Sequence, residues 1–145
     1  MSRAGHPLAH YEKIFLRPSI TMKALSIRQP YASAIIFGWK TVEIRSWKTK
    51  YRGDLLICST QKEFRSEDGT IFPGGYALGV VELLDVHKMT KNDLLYAYEP
   101  AGTRFEDYIN HYAWIIALKH KIVPFHVKGK QGFYEVDHEI EIILN

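Results

Sequence analysis

A lysine and a glutamate lie three residues apart in the sequence GWKTVEIR, at residues 38–45. Residues three apart on a regular strand face opposite sides, so Lys40 and Glu43 converge only if Lys40 belongs to a turn, which Gly38 permits. A desolvated lysine at a pocket wall can act as a base, whereas a nearby carboxylate holds it charged as an anchor, and the sequence leaves both roles open. A surface ion pair, which contributes about 0–1 kcal/mol, is a third interpretation of this spacing.

Side chains that suit a nucleobase flank this pair. Guanidinium and amide groups hydrogen-bond to base edges, and aromatic rings stack on base faces. The candidates of these types are Arg28, Gln29, Tyr31, Arg45 and Trp47. A place in the core is the alternative for Trp47, although its expected strand face includes Glu43 and Arg45. We therefore predict an open base-binding pocket within residues 26–47.

Two further candidates lie outside this segment. Ser59 ends a predicted strand and could reach the pocket. Lys130 belongs to the sequence KGKQG at residues 128–132, whose backbone amides could meet a phosphate or carbonyl group, although a tight hairpin has the same composition. The seven histidines have no metal-binding spacing and Cys58 is the one cysteine, so we expect neither a metal nor another cofactor.

The basic character of the chain is local. Residues 23–53 contain seven lysines and arginines against the single acid Glu43, whereas the net charge of the whole chain is +3. Such a patch indicates a phosphate-bearing or nucleic-acid partner, the alternative being lysines solvated around a strand turn. The single cysteine and the lack of a signal-like or bilayer-spanning apolar run predict a cytoplasmic protein without membrane contact.

The elements that must position these groups are mostly strands. In KALSIR, at residues 23–28, Leu25 and Ile27 alternate with polar residues, which predicts a half-buried strand. The following PYASAIIF predicts a helix that ends at Gly38 in a left-handed cap. Several short strands with few helices favour a β-barrel or strongly curved sheet over a parallel βαβ sheet.

The length of 145 residues suits one domain, which we place at residues 22–145, after a flexible extension at residues 1–21. A loop is predicted at residues 62–75, and a bend or bulge at Gly79. Short helices are predicted at residues 92–98 and 104–110. The remaining predicted strands are 41–47, 55–60, 76–86, 112–118 and a terminal pair at 123–127 and 133–144.

Five sequence blocks are similar to those of a known family. They are KALSIRQPYASAIIFGWKTVEIRSW, YRGDLLICST, GYALGVVELLDV, YAWIIAL and VKGKQGFYEV. In this order they resemble the ASCH domain family over residues 23–136, and the patterns SIRQP, GxKTxExR and YRG are the most specific part of the match. The resemblance implies a mainly β, α+β fold, a β-barrel similar to PUA domains with a ligand cleft beside the first helix.

The resemblance also implies activities. The family is regarded as RNA-binding or RNA-modifying; some members remove the acyl group from N4-acetylcytidine, and others are described as ribonucleases. The amidohydrolases have a GxKTxT-type stretch whose lysine and second threonine are functional together with a distant glutamate. Lys40 matches the lysine, but Glu43 stands at the place of that threonine, so a threonine nucleophile does not transfer. Glu82 and Glu99 are candidates for the distant glutamate.

These observations lead first to a metal-independent amidohydrolase acting on the exocyclic amide of an N4-acylated cytosine nucleoside. Lys40 and Glu43 would be catalytic, activating water and returning a proton to the leaving amine. The substrate-binding set is Arg28, Gln29, Tyr31, Arg45, Trp47, Ser59 and Lys130. The alternatives are a non-catalytic RNA-binding module that holds an unpaired base in the same cleft, and a ribonuclease.

Overall fold

A computed structural model describes residues 12–16 and 20–144 of the chain. The helices are α1 (Tyr31–Phe37), α2 (Lys91–Leu94) and a 3-10 helix (Phe105–Tyr108). The strands within the described residues are β1 (Glu12–Leu16), β2 (Ile20–Ile27), β3 (Val42–Arg45), β4 (Gly53–Ser59), β5 (Phe64–Arg65), β6 (Ile71–Phe72), β7 (Tyr76–Lys88), β8 (Tyr112–His126), β9 (Phe133–His138) and β10 (Glu141–Leu144).

One eight-stranded sheet contains most of these strands. Its hydrogen-bonded order is β1-β10-β8-β7-β4-β2-β9, and β3 adds to it by pairing with β8. The β2–β4 pair is parallel and the other pairs are antiparallel. The predicted mainly β class with short helices is therefore confirmed. The order has two ends, so the pairing among the described residues does not close a complete hydrogen-bonded barrel.

Helix α1 packs against this sheet because its central residues are apolar and buried. Ile35 and Ile36 lie in one core cluster with Leu25 of β2 and Trp114 of β8. Gly38 ends the helix with φ 84°, and its N–H donates to the carbonyls of the last turn, so the predicted left-handed cap is confirmed. No helix in the described part of the chain is long and apolar enough to cross a membrane.

The predicted strand periodicities hold near the site. Leu25 and Ile27 are buried, whereas Ser26 between them is partly exposed. The register of β7 against β8 shifts between Ala77 and Gly79, which confirms the bulge predicted at this glycine. A Cβ at Gly79 would lie 2.5 Å from Ile36 Cδ1, so glycine also lets α1 approach the sheet closely.

Several predicted elements differ from the structure. The predicted loop at residues 62–75 contains a small hairpin formed by β5 and β6. The predicted strands 112–118 and 123–127 are one strand, β8, in which Leu118 and Lys119 are exposed and the register against β7 shifts between Leu118 and His120. The predicted strand 133–144 is two strands, of which β9 pairs with β2 and only β10 pairs with β8, the strand that contains residues 123–126. The predicted strand 41–47 is shorter and ends at Arg45.

The predicted N-terminal extension falls partly outside the described residues, which exclude 1–11 and 17–19. Residues 12–16 of this extension form β1, which pairs antiparallel with β10. Strand β2 begins at Ile20, upstream of the predicted start at residue 23. The domain boundary at residue 22 stays a prediction.

Candidate functional site

Lys40 is buried in the turn between α1 and β3, with 2% of its surface exposed. Its Nζ donates hydrogen bonds of 2.7 Å to the carbonyl oxygens of Val42 and Ala97, and lies 3.3 Å from Glu43 Oε1. These three acceptors match the three N–H bonds of an ammonium group. The turn thus brings Lys40 and Glu43 together.

Glu43 is almost as buried as Lys40, with 7% of its surface exposed. It lies on β3 opposite Trp114 of β8, which fixes its backbone in the sheet. Its Oε1 contacts Lys40, and its Oε2 accepts a 3.1 Å hydrogen bond from Arg45 Nη1. A carboxylate can accept about four hydrogen bonds, so Glu43 keeps acceptor capacity for a donor in the adjacent cavity.

That cavity, which we call the inner pocket, has a volume of about 250 Å³. Tyr108 Oη donates a 2.9 Å hydrogen bond to Glu99 Oε1 in its wall. Burial, and then the bond to Glu99, raise the pKa of Tyr108 to about 12, so this phenol remains a donor at neutral pH. The lining residues are Ile27, Arg28, Tyr31, Lys40, Glu43, Ile44, Arg45, Glu99 and Tyr108.

A second cavity of about 730 Å³, which we call the outer groove, adjoins the inner pocket. The two cavities share Arg28 and Arg45. The described residues that line the outer groove include three basic side chains and no acidic one. They are Ser26, Arg28, Arg45, Ser46, Trp47, Thr60, Gln61, Gly129, Lys130, Gln131 and Gly132.

The loop at residues 128–132 forms one wall of the outer groove. It connects β8 to β9, which do not pair with each other, so the tight-hairpin interpretation of KGKQG is wrong. A Cβ at Gly129 would lie 2.5 Å from Ser26 Oγ, so glycine lets the loop approach β2 closely. This approach places Lys130 in the wall of the groove.

Trp47 contacts the core and also lines a cavity. Its ring packs edge-on against Trp114 and Phe133 of the core, with centroid distances of 4.7 and 5.3 Å. The side chain is nevertheless partly exposed and lines the outer groove. The core contacts therefore fix the orientation of a ring that the groove presents to solvent.

Comparison with known proteins gives the family. The family model of the ASCH domain matches residues 25–129. The chain belongs to the ASCH domain family. The human protein "Activating signal cointegrator 1" is 37% identical over 136 residues, which cover 80% of this chain and 22% of that protein. Its mouse counterpart is 37% identical over 79 residues, which cover 42% of this chain and 14% of that protein. The chain thus spans about a fifth of the length of the human relative.

Solved structures support the fold of this ASCH domain. Two mutant proteins of ZmASCH from Zymomonas mobilis match with TM-scores of 0.54 and 0.53 at 20% identity. Each match covers 72% of this chain, and 75% and 72% of the respective ZmASCH chains. At this identity the likeness concerns the fold alone.

Two predicted binding residues of the ASCH domain are engaged inside the protein. Gln29 Nε2 donates to Ser33 Oγ and to the carbonyl of Pro73, while its Oε1 accepts from the N–H of Ser33. Ser59 is fully buried, and its Oγ accepts from the N–H of Tyr76 on β7. Neither side chain lines the inner pocket or the outer groove. These hydrogen bonds fix α1 and β4, and contact of either side chain with a ligand stays a prediction.

The two candidates for the distant glutamate lie in different surroundings. Glu99 lines the inner pocket, whereas Glu82 is exposed on β7 opposite Asp54 and Ala117. Tyr108 was not predicted, because a tyrosine in a short predicted helix has no local signature of function. The carbonyl of Ala97 was not predicted either, since it reaches Lys40 across 57 residues of sequence.

Proposed function

We propose that this ASCH domain binds single-stranded RNA and holds one unpaired base in the inner pocket. The observation that carries this proposal is the sharing of Arg28 and Arg45 by the two cavities. A base in the inner pocket would be continuous with a sugar-phosphate backbone in the basic outer groove. The family to which the chain belongs is RNA-associated, and unpaired bases are the usual target of sequence-specific RNA recognition.

The inner pocket suits cytosine. Its volume of about 250 Å³ is below the range of about 300–1,000 Å³ typical for drug-sized ligands, so it suits a ligand of one ring. Cytosine presents an exocyclic N–H donor beside ring acceptors, and a carboxylate is a usual acceptor for that donor. In the pocket, the acceptor Glu43 stands beside the donors Arg45 and Arg28, which complements this edge.

The geometry favours binding over the predicted role of Lys40 as a base. Lys40 Nζ contacts the carbonyl oxygens of Val42 and Ala97 and the carboxylate of Glu43, so protein acceptors rather than a ligand occupy its N–H bonds. We assign to Lys40 the role of a positioning cation that orients Glu43. The carboxylate of Glu43 then accepts a hydrogen bond from the edge of the base.

Hydrolysis of an N4-acyl amide is the second candidate, because two carboxylates, Glu43 and Glu99, line one small pocket together with the phenol donor Tyr108. In this reaction Glu43 takes a proton from a water whose oxygen bonds to the acyl carbon. The C–N bond then breaks and the proton passes to the leaving amine. No threonine nucleophile takes part, and the carboxylic acid and cytidine are the products.

Fluorescence anisotropy with labelled decamers of rC, rU and rA tests the binding proposal. We expect the wild type to bind the rC decamer most tightly. Glu43→Gln is expected to lower that preference about tenfold, within the usual range for one base-edge contact. Glu82→Gln is the matched control, because Glu82 is exposed and outside both cavities. Absence of binding, or an unchanged preference in Glu43→Gln, would contradict the proposal.

Incubation with N4-acetylcytidine tests the second candidate. Release of cytidine by the wild type and by Glu82→Gln, but not by Glu43→Gln, would support hydrolysis at this pocket. A wild type that binds RNA but releases no cytidine would leave base recognition as the function. Lys40→Ala distinguishes the two roles of the lysine, since undiminished turnover in this variant excludes it from the reaction.

A further inference from the structure

Four aromatic rings extend from the inner pocket across the surface, and we call them the aromatic row: Tyr31, Tyr98, Trp39 and Phe37. Tyr31, which lines the pocket, contacts Tyr98 edge-on with a centroid distance of 6.5 Å. Trp39 lies 5.7 Å from Tyr98 and 4.9 Å from Phe37. The outer three rings are large and exposed, by 42% for Tyr98, 54% for Trp39 and 52% for Phe37.

The backbone holds Tyr98 in an unusual conformation. Its φ is 59°, and it is the one non-glycine residue with positive φ among the residues that the structure describes. A bulky residue in the left-handed region is uncommon and costs energy, so the surrounding contacts must enforce it. Those contacts belong to the site, because the carbonyl of Ala97 accepts from Lys40 and the side chain of Glu99 lines the inner pocket.

We propose that the aromatic row stacks the nucleotides next to the base held in the inner pocket. The inference rests on the proposed function and names the further contacts of the same RNA. Trp39 and Tyr98 are inclined by 32°, closer to parallel than to perpendicular, and both side chains are exposed. Every base has a π-face, so such a surface accepts any neighbour, while selectivity stays with Glu43.

RNA is the occupant that the observations favour, because the row is continuous with the pocket through Tyr31. None of the four rings lines the outer groove, so the row and the groove are separate surfaces that both border the pocket. An RNA strand whose central base occupies the inner pocket can therefore leave the pocket in two directions. Its backbone on one side follows Arg28, Arg45 and Lys130, and its bases on the other side stack on Tyr98 and Trp39.

Ligands of two lengths distinguish contacts with the aromatic row from contacts with the inner pocket. We compare cytidine monophosphate, which is too short to reach the row, with an rC decamer, which reaches it. Trp39→Ala is expected to weaken decamer binding about tenfold, as for loss of one stacked base, and to leave the monophosphate affinity unchanged. Trp39→Phe is expected to restore most of the decamer affinity. Tyr96→Ala is the matched control, because Tyr96 is equally exposed and has no ring contact with the row among the described residues.

Intrinsic fluorescence gives a readout that a purely structural role of Trp39 would not change. Trp114 is fully buried and Trp47 lines the outer groove, so stacking on Trp39 should appear as the part of the decamer-dependent quenching that Trp39→Phe removes. A wild type that binds neither ligand overturns the proposed function and the row together. If the wild type binds the decamer and the Trp39 variants show the same affinity and the same quenching, only the proposed role of the aromatic row is overturned. Loss of self-association in Trp39→Ala with unchanged RNA affinity would also overturn it, since the row would then be a protein contact.

Discussion

At the scale of single residues, Lys40 joins two parts of the chain that the sequence separates. Its ammonium group bonds to the carbonyl of Val42 in β3 and to that of Ala97 beyond α2. A buried charge is tolerated only when it is paired and hydrogen-bonded, and Glu43 supplies the countercharge. Removing one partner of such a pair leaves the other buried and uncompensated.

Lys40→Met is therefore expected to lower the free energy of unfolding by about 3 kcal/mol. This value is at the lower end of the range for a broken buried ion pair, because Glu43 keeps its ion pair with Arg45. The measurement is urea unfolding, in which the slope of the unfolding free energy against urea concentration should be the same for wild type and variant. Lys50→Met, at an exposed position of the same basic segment, is the control and should change stability by less than about 0.5 kcal/mol. Equal stability of the two variants would show that the buried contacts of Lys40 contribute no net stability.

At the scale of elements, the segment after β7 positions one side of the site. Helix α2 has only four residues and begins with a capping box between Thr90 and Asp93. His87 binds it to the sheet, with Nδ1 2.8 Å from Asp85 Oδ2 and Nε2 2.9 Å from Asp93 Oδ2. The chain beyond α2 then supplies the carbonyl of Ala97 to Lys40.

The His87 bridge predicts a pH-dependent stability. Hydrogen bonds to Asp85 and Asp93 raise the pKa of His87 above its ordinary value of 6.5. Its stabilising contribution is thus complete below pH 6.5 and is lost as the pH rises through the raised pKa. The pKa of Asp85 is lowered, chiefly by the bond to His87, so its contribution is lost in acid as the pH falls below 3.8. The bridge is strongest between these limits.

His87→Gln tests this bridge by removing the titrating ring. The difference in unfolding free energy between wild type and variant should be larger at pH 5.5 than at pH 8.5. His126→Gln, at an exposed histidine on β8, should show a much smaller dependence. If the difference in unfolding free energy between wild type and His87→Gln stays constant over this pH range, the bridge does not depend on a charged histidine.

Local elements were largely predictable from sequence, whereas their partners were not. The cap at Gly38 and the bulge at Gly79 follow from backbone properties of single residues, and the sequence marks them directly. The pairing of β9 with β2 depends on contacts across more than a hundred residues, which no local period encodes. The same limit applies to the site, because the Lys40–Glu43 pair is local but Glu99 and Tyr108 reach it only through the fold.

At the scale of the whole molecule, charge is distributed unevenly. The net charge is only +3, yet the outer groove is lined by Arg28, Arg45 and Lys130 without an acidic side chain among its described residues. Phosphate contacts supply affinity with little sequence information, whereas base-edge contacts supply selectivity. The groove and the inner pocket should therefore affect binding in separable ways.

Lys130→Ala tests this separation. For single strands, each neutralised phosphate contributes about 0.7 to the slope of log affinity against log salt, so this variant should lower the magnitude of the slope by about that amount between 50 and 200 mM salt. The preference for the rC decamer should persist, because Glu43 is unchanged. Lys50→Ala removes the same charge from a position outside the groove and should leave the slope unaltered. Equal effects of the two variants would mean that net charge, rather than the groove, governs binding, and a loss of base preference in Lys130→Ala would mean that pocket and groove act as one site.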